Sequence, residues 1–287
     1  MPLLEQLTTV VPCKNEEKNI GECLKRLQGF CRCVVADSGS TDRTAEIAES
    51  YGATVLQFDW DGKFPKKRNW VLRTHPIETE WVLFLDTDEF APAAFLAELE
   101  ATLPETGHNG FWIEYDNFFM GKLQRHGVPM RKLALFRVGK GAYEYIPESS
   151  WSQCDMEVHE HAIVEGSVGE ISTRVVHHDL KDLTSLVARH NNYSSWEAHR
   201  FHHLMEHKDE KWHNMTLRQR TKYRLLSSFW AAPFYFMLSY VVKRGFLDGI
   251  SGFRFSLFKA YYFFQIYLKI RELRQAPKSL DAESTPS

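Results

Sequence analysis

The stretch Trp81-Val82-Leu83-Phe84-Leu85-Asp86-Thr87-Asp88-Glu89 joins an apolar run to three carboxylates, the first two separated by one residue. Five apolar residues in a row read as a strand buried on both faces, so the acids belong just past its end. In an open α/β sheet that position is where ligands collect, and alternate carboxylates there suit a hard divalent cation that also holds phosphate oxygens. The same residues read equally as a helix start, with Asp86 or Thr87 capping a helix over Ala93 to Leu103. Three other groups carry chemistry: the basic cluster Lys66-Lys67-Arg68, the histidine pair in Val175-Val176-His177-His178, and the acids and histidines of Glu157-Val158-His159-Glu160-His161. A basic run meets a diphosphate or simply faces solvent. His159 and His161 alternate as on a strand and point to opposite faces, which argues against a dedicated zinc site.

The elements that must position these groups are short strands at Leu7 to Val11, Cys33 to Ala36, Ala53 to Phe58 and Trp81 to Leu85, each followed by a helix-length segment. That alternation is the signature of parallel βαβ units. Asn15 is the expected cap of the first helix, Glu16 and Glu17 its first turn, and Ile20, Cys23, Leu24 and Leu27 its buried stripe. The second helix is expected near Ser40 or Thr41. From Gly107 to His178 the pattern turns to extended pieces such as Gly110 to Tyr115 and Leu133 to Arg137, an antiparallel or mixed half of the same domain. Residues 181 to 225 read as polar helix and 229 to 270 as apolar helix. The divisions are therefore 1–105, a parallel βαβ half; 106–180, an antiparallel or mixed half; 181–275, a helical region; and 276–287, a disordered Pro/Ser tail.

In order and spacing, Val11-Pro12-Cys13-Lys14-Asn15-Glu16-Glu17, Asp37-Ser38-Gly39-Ser40-Thr41-Asp42-Arg43-Thr44, Lys67-Arg68-Asn69 and Asp86-Thr87-Asp88 resemble the inverting family 2 glycosyltransferases. Val158-His159-Glu160-His161, His177 and Arg244-Gly245-Phe246-Leu247-Asp248-Gly249 look more narrowly like the lipopolysaccharide-core β-glucosyltransferases of the WaaE/KdtX type. The resemblance implies a GT-A fold, a Rossmann-like mixed sheet flanked by helices, with 1–105 as its nucleotide-sugar half, 106–180 as its acceptor and catalytic half, and 181–275 as a membrane-associating helical region. It further implies that Pro12, Lys14, Glu16, Asp37 and Ser38 hold the nucleotide, with Asp37 at the uracil edge. Arg68 meets the diphosphate, Asp86 lies by the ribose and donor sugar, and Asp88 binds the metal, Mn²⁺ or Mg²⁺, with His177 and with His178 as the fallback. His161 helps position metal or phosphate, and Arg131, with Lys132 and Arg137 on the same strand, is a further candidate for phosphate or acceptor contact, exposed strand charges being the alternative. Inversion needs one carboxylate opposite the leaving group, and the family places its base at Glu160, with Asp155 and Glu157 the nearby alternatives. No Gly-x-Gly-x-x-Gly follows the first strand, which disfavours a dinucleotide cofactor.

At 287 residues, 44% hydrophobic and 25% charged, the chain is long enough for one large α/β domain with additional elements. A net charge of −2 gives no global attraction to nucleic acid. The five cysteines, Cys13, Cys23, Cys31, Cys33 and Cys154, lack metal or redox spacing and fit a reducing compartment. No charged and apolar leader opens the sequence, so the amino-terminal half is expected in the cytoplasm. His199, His203 and His207 share a helix face, read here as a polar face rather than a metal cluster.

Of the 39 aromatic residues, 15 lie between Phe229 and Tyr267, a density that suits a membrane interface. Phe229 to Val242 is short of the ~20 residues that cross a bilayer and carries Pro233, so helices lying in one leaflet are expected rather than a spanning hairpin. Lys211, Arg218, Arg220, Lys222 and Arg224 suit anionic headgroups on the cytoplasmic side. An apolar core packed on the catalytic domain, or a dimer interface, would use the same residues. The expected activity is metal-dependent transfer of a hexose, glucose from UDP-glucose, onto a heptose of the lipopolysaccharide inner core at the cytoplasmic face of the inner membrane. The alternatives are an undecaprenyl-linked saccharide acceptor, a metal-dependent nucleotide phosphoesterase with two clustered metals, and a silent membrane-bound binding module.

Overall fold

The computed structural model describes residues 2–145, 155, 161–206 and 217–275. Glu160, Glu157, His159, Cys154, His207, Lys211 and the tail 276–287 lie outside them. After a single helical turn, α1 (Leu3–Gln6), the chain enters β1 (Leu7–Cys13), every residue of which is buried. β2 (Arg32–Asp37) and β4 (Trp81–Phe84) flank β1 in parallel, and β3 (Thr54–Gln57) lies outside β2. The apolar run of β4 explains its central place. Trp81 and Leu83 pack with Leu24, Phe95 and Leu99 on one face, while Val82 and Phe84 pack with Val71 and Phe136 on the other. Alternate residues of a strand point to opposite faces, so only a strand apolar at every position can sit between two layers.

Helices α2 (Ile20–Leu27), α3 (Thr44–Ser50), α4 (Lys67–Thr74) and α5 (Ala93–Thr102) cover the two faces. The buried stripe of α2 is Ile20, Cys23, Leu24 and Leu27, as its spacing implies. Its start differs from the expectation. Asn15 has φ +54° and does not cap α2; its carboxamide oxygen accepts the amide of Thr41 at 2.8 Å, and its own amide donates to Ser40 Oγ at 2.8 Å. The Glu16 and Glu17 amides donate to Thr44 Oγ1 and Asp42 Oδ2. These residues tie two loops together at the carboxyl end of the sheet, and helix begins only after those donors are satisfied. The second helix likewise starts at Thr44, behind Asp42, whose carboxylate accepts the Thr44 amide at 3.0 Å.

Beyond β4 the sheet turns antiparallel through β8 (Met130–Arg137), then continues through β6 (Gly110–Phe119) and β11 (Val168–His177) to the short β5 (Glu89–Phe90). β7 (Lys122–Gln124) hangs on β6, and β9 (Gly141–Tyr143) pairs with β10 (Ala162–Val164) in a separate ribbon. One nine-stranded mixed sheet thus runs through both the 1–105 and 106–180 segments, as the GT-A expectation requires.

The rest is helical: α6 (Leu183–Glu206), α7 (Leu217–Leu226), α8 (Ala231–Phe236) running into a π turn at Met237–Val242, a 3-10 turn at Gly245–Asp248, and α9 (Gly249–Gln275). The expected apolar helix over 229–270 is broken between Val242 and Gly249, where Arg244 is left-handed at φ +58° and Gly249 sits at φ +61°. α9 shares a core with α6 and α7 through Phe201, Tyr223, Tyr262 and Ile266. It is tied to the sheet as well. Asp248 accepts the His126 amide at 2.8 Å, Gln124 donates to Ser251 Oγ at 2.8 Å, and Phe119 lies against Phe255 and Phe258. Trp230, Phe234, Val242, Leu247 and Ile250 are more than half exposed, and no described helix is long and apolar enough to cross a membrane.

A Cβ on Gly252 would run into the carbonyl oxygen of Gly245, so Gly252→Ala must push the 3-10 turn off α9. It is expected to lower stability by about 1–3 kcal/mol, the usual cost of overpacking, measured by urea denaturation. Unchanged stability would show that the turn and helix do not bear on one another.

Candidate active site

β4 ends at the point where parallel and antiparallel halves of the sheet meet, and the acids follow there. The helix-start alternative does not hold: Asp86 to Glu89 form a tight turn, with the Asp86 amide donating to Glu89 Oε2 at 3.1 Å and the Glu89 amide to the Asp86 carbonyl at 2.9 Å. Helix begins only at Ala93, behind Pro92. Glu89 pairs with His177 in the β5–β11 ladder, and the His178 amide donates to the Asp88 carbonyl at 2.9 Å. Pinning the turn to the end of β11 brings the His177 ring to the Asp88 carboxylate, Nε2 to Oδ2 3.6 Å. His178 is the other member of the pair, and its ring stacks on Phe118 instead.

The two aspartates of the turn have different partners. Asp86 is held on one oxygen by Arg68 at 2.5 Å and on the other by Lys132 at 2.6 Å, and Lys132 also reaches the fully buried Glu89. Burial opposes ionisation of Asp86, but Lys132 and then Arg68 outweigh it and hold its carboxyl well below the usual carboxylate range. Burial raises the Glu89 carboxyl, a rise that Lys132 only partly offsets. Asp88 faces the His177 ring and, at 3.5 Å, Arg189 of α6, whose other nitrogen meets Asp179 at 2.7 Å. Burial works against its charge too, and His177 followed by Arg189 brings its carboxyl down to about 2. Despite its own burial, His177 is held above the usual histidine range by Asp88.

A cleft of about 860 Å³ opens over this turn. Pro12, Lys14, Glu16, Arg68, Asp86, Asp88, Arg131 and His177 all line it. Asp37 and Ser38 are not in that lining: Asp37 is buried, accepting the Ser40 amide at 3.0 Å and lying 3.5 Å from Cys13 Sγ, so it shapes the loop from behind. Glu16 is paired with Lys181 at 2.6 Å. Arg131 turns to Trp112, 4.3 Å from its ring centroid, and to Glu170, while its neighbour Lys132 points into the acids, as alternation along β8 requires. His161 lines the cleft beside residues 156–160, which lie outside the described set; burial, then Lys222, keeps its ring below the usual range.

Lys66, Lys67 and Arg68 are not a solvated surface run, since each is less than a tenth exposed. Lys67 donates to the Cys13 carbonyl at 2.8 Å and faces Asp155 at 3.2 Å, joining the ends of β1 and α4 to the segment before β10. Among the described residues no three His, Cys, Asp or Glu side chains stand together as a metal cage. Arg189 and Lys181 were not singled out from the sequence, and Lys132 was read there only beside Arg131, as a phosphate or acceptor contact. Lys132 carried a signal, one residue out of step with Arg131; Arg189 and Lys181 carried none.

A family model for glycosyl transferase family 2 matches residues 8–151, half of the chain. The chain belongs to that family. It is therefore an enzyme, a glycosyltransferase, and the phosphoesterase and binding-module alternatives fall away. The lipopolysaccharide core biosynthesis glycosyltransferase LpsC of Rhizobium meliloti is 26% identical over 295 residues, 97% of each chain. The 4,4'-diaponeurosporenoate glycosyltransferase of Staphylococcus aureus is 40% identical over 89 residues, which span 29% of this chain and 24% of that one. Glucosyl-3-phosphoglycerate synthase from Mycobacterium tuberculosis, solved with Mn²⁺, UDP and its product, matches 41% of this chain and 45% of its own at 25% identity and TM-score 0.31. S. aureus TarS 1–349 matches 95% and 92% at 17% identity and TM-score 0.41.

Replacing Lys132 by Met leaves Asp86 short of one cation and Glu89 with none. Stability at neutral pH is expected to fall by about 2–3 kcal/mol in urea denaturation, less than for a fully buried pair because a third of the Lys132 side chain reaches solvent. Glu89 has a raised carboxyl, so its penalty sets in above the ordinary glutamate range and is relieved below it; the deficit must shrink as pH falls. A deficit independent of pH would assign the loss to packing instead.

Proposed function

We propose that this glycosyltransferase moves glucose from UDP-glucose, with inversion, onto a heptose of the lipopolysaccharide inner core, working as a peripheral protein on the cytoplasmic face of the inner membrane. The donor end of the cleft carries this reading: Asp88, ionised and set against an imidazole, opens into the same cavity as Lys14, Arg68 and Arg189. Relationship to LpsC over the whole chain supports the acceptor class. The likeness to the WaaE/KdtX branch supports the sugar.

The residues fit a divalent cation. A carboxylate oxygen and an imidazole nitrogen lie at one edge of an open cleft, the donor set of an ion that completes its shell with diphosphate oxygens. Asp88 and His177 would hold Mn²⁺ or Mg²⁺, which supplies Lewis-acid stabilisation of the leaving diphosphate. Arg68 and Lys132 keep Asp86 ionised and fixed for hydroxyls of the ribose or donor sugar. Lys14 and Arg189 add positive field where the diphosphate charge develops. An acceptor hydroxyl attacks the anomeric carbon opposite the leaving group, its proton passes to the Glu160 carboxylate, and the sugar–phosphate bond breaks with its electron pair going to UDP. Glu160 enters on the family resemblance.

The exposed apolar residues of α8, the turns and α9 form the membrane-facing surface in this reading, lying on one leaflet. A saccharide acceptor anchored in lipid would then be presented beside the cleft, whose roof is the same helix α9.

Titration of UDP with and without Mn²⁺ tests the donor end. Asp88→Ala is expected to lose the metal-dependent part of the affinity, at least about tenfold; an unchanged manganese dependence would move the ion elsewhere. Glu160→Gln should bind UDP as the wild type does yet lose roughly 10²–10⁴ in transfer to purified core oligosaccharides, followed by mass spectrometry. Retained turnover removes Glu160 from the mechanism. For the membrane surface, Trp230→Glu with Phe234→Glu is expected to abolish sedimentation with anionic lipid vesicles while UDP affinity is kept. Sedimentation equal to wild type would refute that surface.

A further inference from the structure

Beside the Asp86–Asp88 turn the cleft is also walled by helices, and one half-buried cation there has no acidic partner among the described residues. Lys67, Lys132 and Lys181 each line the cleft facing a carboxylate. Lys259 of α9 also lines it, yet among the described residues no carboxylate pairs with it. Its Nζ lies 3.3 Å from His190 Nε2 and 5.8 Å from the centre of the Phe255 ring. His190 Nδ1 stands 3.0 Å from the Leu186 carbonyl, which can only accept, so Nδ1 carries the proton and Nε2 is left to accept from the ammonium. One of the three ammonium donors is used in this way. Arg189, the nearest other cation, is engaged by Asp88 and Asp179 and adds repulsion rather than relief.

A charge left this way is costly. Burial, followed by the charge of Arg189, pushes the Lys259 ammonium down to about 8. Buried charges that persist in folded proteins are paired or bind something. Around this one the wall is aromatic, with Phe255, Phe258 and Tyr262 from α9 and Tyr235 from α8, surfaces on which the apolar face of a sugar ring can rest while its acidic substituent meets the cation.

Resting on the glycosyltransferase reading of the cleft, we infer that Lys259 receives an acidic substituent, phosphate or carboxylate, of the acceptor, so that the enzyme selects an anionic saccharide. The donor diphosphate is the other source of the same chemistry. It is provided for around the Asp86–Asp88 turn, by Lys14, Arg68 and the Asp88–His177 pair, and Lys259 is carried on a separate helix.

The test uses the full chain and inorganic phosphate as the probe, titrated by calorimetry into enzyme saturated with UDP and Mn²⁺. Wild type is expected to bind phosphate alongside UDP, and phosphate should inhibit transfer by competing with the acceptor and not with UDP-glucose. Lys259→Met should weaken phosphate binding roughly tenfold or more, the worth of one charge-assisted hydrogen bond, with UDP affinity unchanged. Lys259→Arg, which keeps the charge, should hold phosphate within a few fold and guards against a Met variant that simply fails to fold. Phosphate that displaces UDP, or that binds Lys259→Met as well as wild type, overturns the proposal. If UDP does not bind at all, the donor reading fails on its own, and phosphate binding by the unliganded enzyme that is lost in Lys259→Met still supports the anion site.

Discussion

The arrangement depends on one half-buried ion cluster, in which Lys132 reaches across from β8 to Asp86 and Glu89 while Arg68 holds the far oxygen of Asp86. Three carboxylates in four residues repel one another, and burial makes each harder to ionise. Two cations from other elements make the turn possible. They also divide the labour between the acids, because Asp86 has both oxygens taken whereas Asp88 is left with an imidazole and a more distant guanidinium. A motif of alternate aspartates therefore contains one carboxylate paired with a cation on each oxygen and one paired on a single oxygen, and the distinction is made by β8 and α4, not by the motif.

The carboxyl-terminal helices complete the site instead of merely following it. Arg189 and His190 come from α6, and Lys259 from α9, which is held over the cleft by Asp248 on His126, Ser251 on Gln124 and the Phe119 contacts. A polar anchor at one end and an aromatic one beside it fix both the angle and the height of the helix. The outward face of the same helices is apolar and exposed. An exposed apolar surface and a wall of the cleft are thus two sides of one element.

Much of the sheet was legible in the sequence because buried parallel strands have a plain signature. All four amino-terminal strands fall where apolar runs end in loops, and α5 ends within one residue of the expected Leu103. What was not legible involved partners distant in sequence. Asn15 has the chemistry of a helix cap, but Thr41 competes for its side chain from the next loop, so the helix starts at Ile20. The Lys66-Lys67-Arg68 run resembles a solvated one until Asp155, Asp86 and the Cys13 carbonyl are brought to it by folding. Arg189 lies in the middle of a polar helix where nothing local marks it.

Charge placement along the cleft supplies the last step. At the end where Asp86 and Asp88 lie, opposite charges are matched side chain by side chain, so an incoming diphosphate must bring its own countercharge or displace a pair already made. On the wall supplied by α9 the balance is left open, since among the described residues no carboxylate pairs with Lys259. In the proposed reading these two regions receive two ligands of different charge demand. That asymmetry follows from helices packed on a sheet whose motif was complete without them: α4 and β8 set the charge around the β4 turn, and the carboxyl-terminal helices set it on their own wall.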